Sequence, residues 1–391
     1  MSEVEFKLRK LGDLIEIYNN KRVPLSAKQR EGLEKNYPYY GAQGIVDYVD
    51  DYIFDGKYIL IAEDGENLKS NNKSICTLAT GKYWVNNHAH IIKGNDETNT
   101  DFLYYKLNSI SFAPNITGSA QPKLNKENLL NIELYVPSKE YQDKIAKVLT
   151  LLDKKIQTNN QINQELEAMA KTLYDYWFVQ FDFPDQNGNP YKSSGGKMVY
   201  HPELKREIPE GWGVEKLGDI TICHDSKRVP LSSNDRELVK GEIPYYGATG
   251  IMDYVNDYIF DGDYVLMAED GSVMTEKGTP ILQRISGKNW VNNHAHVLEP
   301  IKNYSCKLLM MLLKDVSVMK IKTGSIQMKI NQENMNKIVV PAIPLKLLFE
   351  INQKLEVIDK QQLNLIEENK QLTQLRDWLL PMLMNGQVKV E

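Results

Sequence analysis

Two histidines, His88 and His90, close the stretch Trp84-Val85-Asn86-Asn87-His88-Ala89-His90, and the same seven residues return at Trp290 to His296. On a strand, where side chains alternate between faces, both imidazoles would share one face. A pair at that spacing can ligate a transition metal. A metal centre also needs a third ligand and an outer shell, and no metal ligand set is assigned here. The alternative keeps one histidine hydrogen-bonded in a sheet and turns the other toward a ligand or solvent.

Further polar sets recur and suit recognition better than catalysis. Lys21-Arg22 and Lys227-Arg228 stand beside proline-containing turns. Paired cations of this kind can hold phosphates, or they can be plain surface charge. Tyr40, Gly41 and Gln43 fall in a Tyr-Tyr-Gly-Ala-Gln-Gly loop that returns as Tyr246, Gly247 and Thr249. Glutamine can bond an adenine edge bidentately, so one changed polar position reads as a changed letter; the bland reading is a turn with core tyrosines. Asn86, Asn87 and His88, with Asn292, Asn293 and His294, concentrate hydrogen-bonding groups for a ligand or for a turn. Ser119, Gln121 and Lys123, with Ser325, Gln327 and Lys329, follow a Thr-Gly turn and precede an expected helix. An anion site at that helix N-terminus and a capping role both fit.

Signatures of catalysis are missing. The chain has no P-loop, no G-x-G-x-x-G opening a helix, no G-x-S-x-G and no cysteine cluster. Pro184-Asp185 followed by Glu203-Leu204-Lys205 imitates a metal-dependent nuclease pattern, but it occurs once and without strands to carry the carboxylates.

The elements that must position these groups come in duplicate. Pro38 to Gly56 returns, with a few changes, at Pro244 to Gly262. One ungapped offset of 206 residues relates the copies from about residue 11 to about residue 135, with roughly two in five positions identical. Each copy reads as β-rich: Ile45 to Phe54 and Trp84 to Ile92 alternate, and Tyr58 to Ile61 is a short apolar run before the turn Glu63-Asp64-Gly65. Asp101 to Ile110 and Lys123 to Leu130 are expected as short helices, giving a mixed α+β domain around a curved sheet.

After each copy the period lengthens. Ile145, Leu149, Leu152, Ile156, Leu166, Ala170, Leu173 and Trp177 keep a heptad seam interrupted by Asn159 and Asn163. Ile351, Leu355, Ile358, Leu365, Leu372, Leu379 and Leu383 repeat it, interrupted by Gln362, Asn369 and Arg376. Each helix either packs on its own domain or pairs with the other, polar seam residues then fixing register. The resulting division is a first domain over 1–138, a helix over 139–180, a Gly-, Pro-, Ser- and Asn-rich connector over 181–210, a second domain over 211–344 and a second helix over 345–391.

Bulk properties set limits. The 391 residues allow two or three domains. The net charge of −5 and pI of about 5.8 give no bulk sign of a polyanion partner. Cys76, Cys223 and Cys306 suit reduced thiols. The N-terminus lacks an apolar signal region and no run of about 18 apolar residues exists, so a soluble cytoplasmic protein without membrane contact is expected.

The ordered set of motifs resembles the specificity subunit of type I restriction–modification enzymes: the Leu-Gly-Asp opening, Pro-Tyr-Tyr-Gly-Ala-x-Gly, Thr-Gly-Ser-x-Gln, Val136-Pro137 before a long Leu/Ile-rich helix, and Ile208-Pro209-Glu210-Gly211-Trp212. The resemblance covers nearly the whole chain. It implies two homologous mixed α/β target-recognition domains separated by two long antiparallel coiled-coil helices in a pseudo-twofold repeat. Each domain would read one half of a split double-stranded DNA site. The subunit would be non-catalytic and carry no cofactor. Two methyltransferase subunits would bring S-adenosylmethionine for adenine methylation, and motor–nuclease subunits would bring ATP and Mg²⁺. The recurring polar residues above become candidate DNA contacts.

If both copies read nearly the same bases, the site approaches an interrupted palindrome, broken where Gln43 faces Thr249 or where Glu66-Asn67-Leu68 faces Ser272-Val273-Met274. Two rivals remain: a stand-alone nuclease using the connector carboxylates, and a scaffold whose repeated domains bind protein or glycan.

Overall fold

The computed structural model describes residues 5–64, 68, 75–118, 122–324 and 328–390. In it the chain divides into two compact units, Met1–Asn160 with Glu367–Glu391, and Gln161–Ile366. The first copy lies in the first unit. Its strands are β1 (Lys7–Lys10), β2 (Ile15–Ile17), β3 (Tyr37–Gly41), β4 (Gly44–Val49), β5 (Phe54–Asp55), β6 (Tyr58–Ala62), β7 (Cys76–Ala79), β8 (Lys82–Val85), β9 (Ala89–Gly94) and β10 (Glu133–Val136). Helices α1 (Ala27–Arg30), α2 (Thr100–Asn108) and α3 (Lys126–Leu130) complete it, and α4 (Lys139–Tyr174) belongs to this unit up to Asn160 and to the other from Gln161.

The expected single curved sheet is two four-stranded sheets, with β1 and β10 forming a separate antiparallel pair. One runs β2-β9-β6-β7, all antiparallel; the other runs β4-β3-β8-β5, with β3 and β8 parallel and Tyr39 opposite Trp84. The strand β6 shows why its sequence is uninterruptedly apolar. Ile59 and Ile61 share a core with Phe102 and Leu103 of α2, while Leu60 faces Phe54, Tyr83 and Val85 of the second sheet. A strand covered on both faces has no position for a polar side chain. Each such side chain contributes roughly 1.5–3 kcal/mol of burial.

Two expected strands are broken. The run Ile45 to Phe54 ends at Val49 and resumes at Phe54, and Trp84 to Ile92 is interrupted at Asn86–His88, so His88 and His90 do not stand on one strand. The short helices exist with shifted ends. In α3 the cap is Asn125, whose side chain accepts from the Asn128 N–H, so the helix begins at Lys126 rather than Lys123.

The second unit repeats the design. Its strands are β11 (Met198–His201), β12 (Arg206–Pro209), β13 (Val214–Lys216), β14 (Thr221–Cys223), β15 (Lys240–Tyr246), β16 (Ile251–Val255), β17 (Phe260–Asp261), β18 (Tyr264–Ala268), β19 (Leu282–Ile285), β20 (Lys288–Val291), β21 (Ala295–Pro300) and β22 (Val339–Pro341). Sheets β14-β21-β18-β19 and β16-β15-β20-β17 reproduce the first pair strand for strand. Helices α5 (Leu217–Ile220), α6 (Ser233–Leu238), α7 (Cys306–Lys314), α8 (Gln332–Asn336) and α9 (Leu345–Met384) follow.

Both alternatives for the long helices hold at once, within each unit. In the first, Ile145 and Leu149 of α4 share the domain core with Leu383 and Met384 of α9. In the second, Leu166 and Ala170 of α4 share a core with Ile351, Leu355 and Ile358 of α9. The polar seam residues pair across it. Arg376 Nη1 lies 2.8 Å from Asp153 Oδ1 and Asn159 Nδ2 lies 2.9 Å from Asn369 Oδ1 in the first unit. Gln362 Nε2 donates to the Asn163 carbonyl at 3.2 Å in the second. Rising numbers on α4 meet falling numbers on α9, so the pairing is antiparallel.

The connector is ordered rather than slack. Phe183 stacks on Trp212 and Tyr191, with ring centroids 5.3 and 4.9 Å away. The Asp182 carboxylate accepts from Ser193 N and Oγ at 2.7 and 2.6 Å, and β11 pairs with β12. Its Gly- and Ser-rich composition encodes tight turns. Among the described residues no helix is long and apolar enough to cross a membrane.

Candidate nucleic-acid interface

The loops carrying the recurring polar residues meet at one place in each copy. The β3–β4 hairpin turns at Ala42-Gln43 and leaves Gln43 exposed. Gly41 is closely approached: a Cβ there would lie 3.0 Å from Val46 Cγ1 and 3.2 Å from Asn86 Nδ2, so either side chain would have to shift to admit it. That approach places the Asn86–His88 turn against the hairpin, sealed by Asn86 N–H donating to the Tyr40 carbonyl at 3.0 Å. In the second copy Thr249 is exposed on the corresponding loop, and Gln283 Nε2 braces it by donating to the Gly247 and Ala248 carbonyls, both at 2.9 Å.

The Asn86 turn is built by its own side chain, Oδ1 accepting from His88 N–H at 2.8 Å; Asn292 does the same for His294. Asn86 and Asn292 are therefore turn-makers, while Asn87 and Asn293 are exposed. The two histidines separate. His88 is exposed and its Nδ1 lies 2.9 Å from Asp64 Oδ2; His90 is buried, with Asn19 at Nδ1 (2.8 Å) and the Leu124 carbonyl at Nε2 (2.7 Å). The sheet-bound and outward-facing pair expected as the alternative to a metal ligand pair is the arrangement found. Burial holds the His90 pKa below the ordinary imidazole value, against the opposing pull of the Leu124 bond and Glu63.

The paired cations also divide. Arg22 reaches inward: Nη1 lies 2.6 Å from Glu63 Oε2 and donates to the Ala89 and Asn87 carbonyls at 3.0 and 3.2 Å. Arg228 repeats this with Glu269 (2.6 Å) and Ala295 (2.7 Å), and adds Asp225 at 3.2 Å. Both guanidiniums brace the site from within. Lys21, over the Tyr18 ring at 5.3 Å, and Lys227 are the exposed members. Burial pushes the Glu63 carboxyl up, but the Arg22 bond and the charges of His90, Arg22 and Lys123 outweigh it and leave the pKa below the usual range.

Lys123 closes the third loop, exchanging backbone bonds with Thr117 at 2.8 and 2.9 Å, with Leu124 N–H donating to the Glu63 carbonyl at 2.9 Å. Its ammonium is half-exposed, 3.5 Å from Glu63 Oε1; Lys329 lies 3.0 Å from Glu269 Oε1. Ser119, Gln121, Ser325 and Gln327 lie outside the described residues, as do Glu66 and Asn67. The exposed edge thus gathers Gln43, Asn87, His88 and Lys123, and in the second copy Thr249, Asn293, His294 and Lys329. Hydrogen-bonding tips flanked by lysine suit base edges and phosphates.

Sequence reading overlooked the carboxylates that hold this edge together. Glu63 and Asp64, with Glu269 and Asp270, were visible only as a turn signal, although their repetition marked them. Trp84 and Trp290 were likewise unexplained; each indole N–H donates to the carbonyl of Val23 or Val229, at 2.6 and 2.7 Å, strapping the lysine-bearing segment down. Cys223, Asp225 and His296 form a cluster with metal-ligand atoms. Arg228 already occupies Asp225, and burial pushes the Cys223 thiol up to about 12. The first copy builds the same joint from Ile17, Asn19 and His90, so the cluster reads as a structural joint.

The nuclease-like carboxylates are a turn-maker and an exposed side chain. Asp185 Oδ1 accepts from Asn187 and Asn189 N–H at 2.7 and 2.9 Å, and Glu203 lies exposed between β11 and β12.

The sequence profile of the type I restriction modification DNA specificity domain matches residues 3–168 and again residues 209–374. The chain belongs to this family. The two matches are 206 residues apart, the offset of the internal repeat. A Haemophilus influenzae type I restriction enzyme specificity subunit is 40% identical over 151 residues, which are 39% of this chain and 38% of that relative. The MjaIX specificity subunit of Methanocaldococcus jannaschii is 26% identical over 316 residues, 75% of this chain and 70% of that one. The crystal structure of the type I restriction–modification S subunit from M. genitalium superposes with a TM-score of 0.61 at 16% identity, covering 98% of this chain and 97% of that one. The fold is shared over the full length while the sequence has drifted. This specificity subunit therefore carries two target-recognition domains, and neither rival reading gains support.

Proposed function

We propose that this chain is the DNA-reading, non-catalytic member of a type I restriction–modification complex. Each copy reads one half of a split double-stranded site through the edge that gathers Gln43, Asn87, His88 and Lys123, or Thr249, Asn293, His294 and Lys329. The paired helices set the gap between half-sites and dock two methyltransferase subunits. S-adenosylmethionine enters with those subunits, and ATP and Mg²⁺ with motor–nuclease subunits. The whole works in the cytoplasm. Masked by no bulk positive charge, DNA affinity draws on local lysines and on basic surface from the partners.

The observation that carries this reading is the recurrence of one exposed polar edge, loop for loop, in two separately packed units. A single ligand needs one such edge; a bipartite sequence needs two. The near-identity of the edges further supports related half-sites that differ where Gln43 becomes Thr249.

The test is co-expression with the accompanying methyltransferase and mapping of N6-methyladenine across the host genome. One split motif is expected, lost on deleting this chain and changed in one half only when residues 11–135 are exchanged for those of a relative. Methylation that ignores such an exchange would overturn the reading.

A further inference from the structure

The outward histidine of each copy is held in a defined tautomer by a carboxylate. His88 Nδ1 faces Asp64 at 3.1 and 2.9 Å, and His294 Nδ1 faces Asp270 at 2.6 Å. An ionised carboxylate only accepts, so Nδ1 carries the proton in both. In the neutral imidazole Nε2 is then a lone pair, and neither Nε2 has a partner among the described residues. The backbone around each ring is fixed as well: His88 N–H donates to Asn86 Oδ1, and its carbonyl accepts from Glu63 N–H at 2.9 Å.

The same copy holds the opposite tautomer two residues away. His90 Nε2 donates to the Leu124 carbonyl, and the Asn19 amide donates to Nδ1 at 2.8 Å. A donor amide at Nδ1 thus goes with a protonated Nε2. A carboxylate at Nδ1 does not by itself leave Nε2 bare: His296 has Asp225 at Nδ1 and still donates from Nε2 to the Ile330 carbonyl at 2.8 Å, whereas no acceptor faces Nε2 of His88 or His294 among the described residues. Where Nε2 faces outward, as in His88 and His294, a ligand meets the lone pair that the neutral Nδ1–H tautomer leaves there.

We propose that His88 and His294 each accept, at Nε2, a hydrogen bond from the exocyclic amino group of one base in the half-site, so that each copy demands adenine or cytosine at that position. In the major groove adenine N6 and cytosine N4 are donors, whereas guanine O6 and thymine O4 are acceptors that a lone pair repels. Asp64 and Asp270 are the positioning residues. This inference rests on the DNA-reading assignment above.

The experiment selects binders from duplexes randomised across both half-sites, using the full-length chain with the subunits that co-purify. The wild type is expected to prefer an amino-bearing base over a keto-bearing one at one position per half, by about tenfold. Asp64→Asn should invert that preference toward guanine or thymine in the first half alone, and Asp270→Asn in the second alone. His88→Ala, an exposed truncation, should erase the preference at the same position and leave the others intact. A keto preference in the wild type, an unchanged preference in His88→Ala, or a uniform loss of affinity in Asp64→Asn would overturn the proposal while leaving the DNA-reading role standing. Absence of any sequence-selective binding by the wild type would remove that role itself, and this proposal with it.

Discussion

Asn159 of α4 is fully buried in the seam of the first unit and donates from Nδ2 both to Asn369 Oδ1 at 2.9 Å and to Glu368 Oε2 at 2.7 Å, on the turn of α9 that passes it. Asn369 in turn donates to Asn160 at 2.8 Å. A polar core position whose amide donor is met only by one partner turn, with its buried Oδ1 left unpartnered, fixes the register of two helices.

Replacing Asn159 by Asp should cost about 2 kcal/mol at neutral pH, because a second carboxylate would face Glu368 where an amide donor stood. The loss should shrink as pH falls and the carboxylates protonate. Denaturant midpoints at pH 7.5 and pH 5 measure both effects. Asn159→Leu should instead hold or raise the midpoint while loosening the register, seen as less uniform gap lengths among methylated sites.

The two residues of the Lys21-Arg22 pair should respond oppositely to substitution. Arg22→Met leaves Glu63 nearly buried without its strongest partner and should lower stability by about 2 kcal/mol. Lys21→Gln should change stability by no more than about 0.5 kcal/mol and reduce the salt slope of DNA binding by about 1. Thermal unfolding beside binding isotherms at several salt concentrations separates them.

His90 makes stability depend on pH in a defined window. Its folded pKa lies below the unfolded value, so the unfolded chain binds the extra proton first. Stability is full above the unfolded value of about 6.5 and is lost as pH falls from there through the folded value. In His90→Gln this loss should be absent between pH 7 and pH 5, as followed by urea unfolding; the carboxylate contribution of Glu63 begins to fade only at lower pH, below about 4.3.

Exchanging the loop letters should move specificity without moving stability. Gln43→Thr should make one position of the first half-site adopt the preference of the second, with a mismatch penalty of about 1–3 kcal/mol changing sides. Methylation maps of the variant show whether a single column of the motif changes.

Much of the fold was legible because it depends on local pattern. The offset of 206 residues fixed the duplication, the heptad spacing fixed two long helices, and their polar interruptions marked the register contacts that Asn159, Asn369, Gln362 and Arg376 make. The run Tyr58 to Ile61 marked a strand, but its burial on both faces, and so the second sheet, needed Phe54 and Tyr83 brought over from elsewhere in the chain. The connector looked slack because glycine and serine serve both linkers and tight turns; the stacking of Phe183 on Trp212 decided between them.

The sequence by itself determined that the chain is doubled, that each copy carries the same polar loops, and that long helices follow them. Residue type and spacing suffice for such properties. Only the tertiary structure decided which of those residues face out. Arg22 turns inward because the Glu63 carboxylate, forty-one residues on in sequence, and the Asn87 and Ala89 carbonyls await its guanidinium there. His88 and His90 part because the turn made by Asn86 ends on His88 and β9 begins at Ala89, leaving one histidine on the turn and the other on the strand. Exposure and tautomer are set by partners distant along the chain, and neighbouring residue types alone cannot specify them.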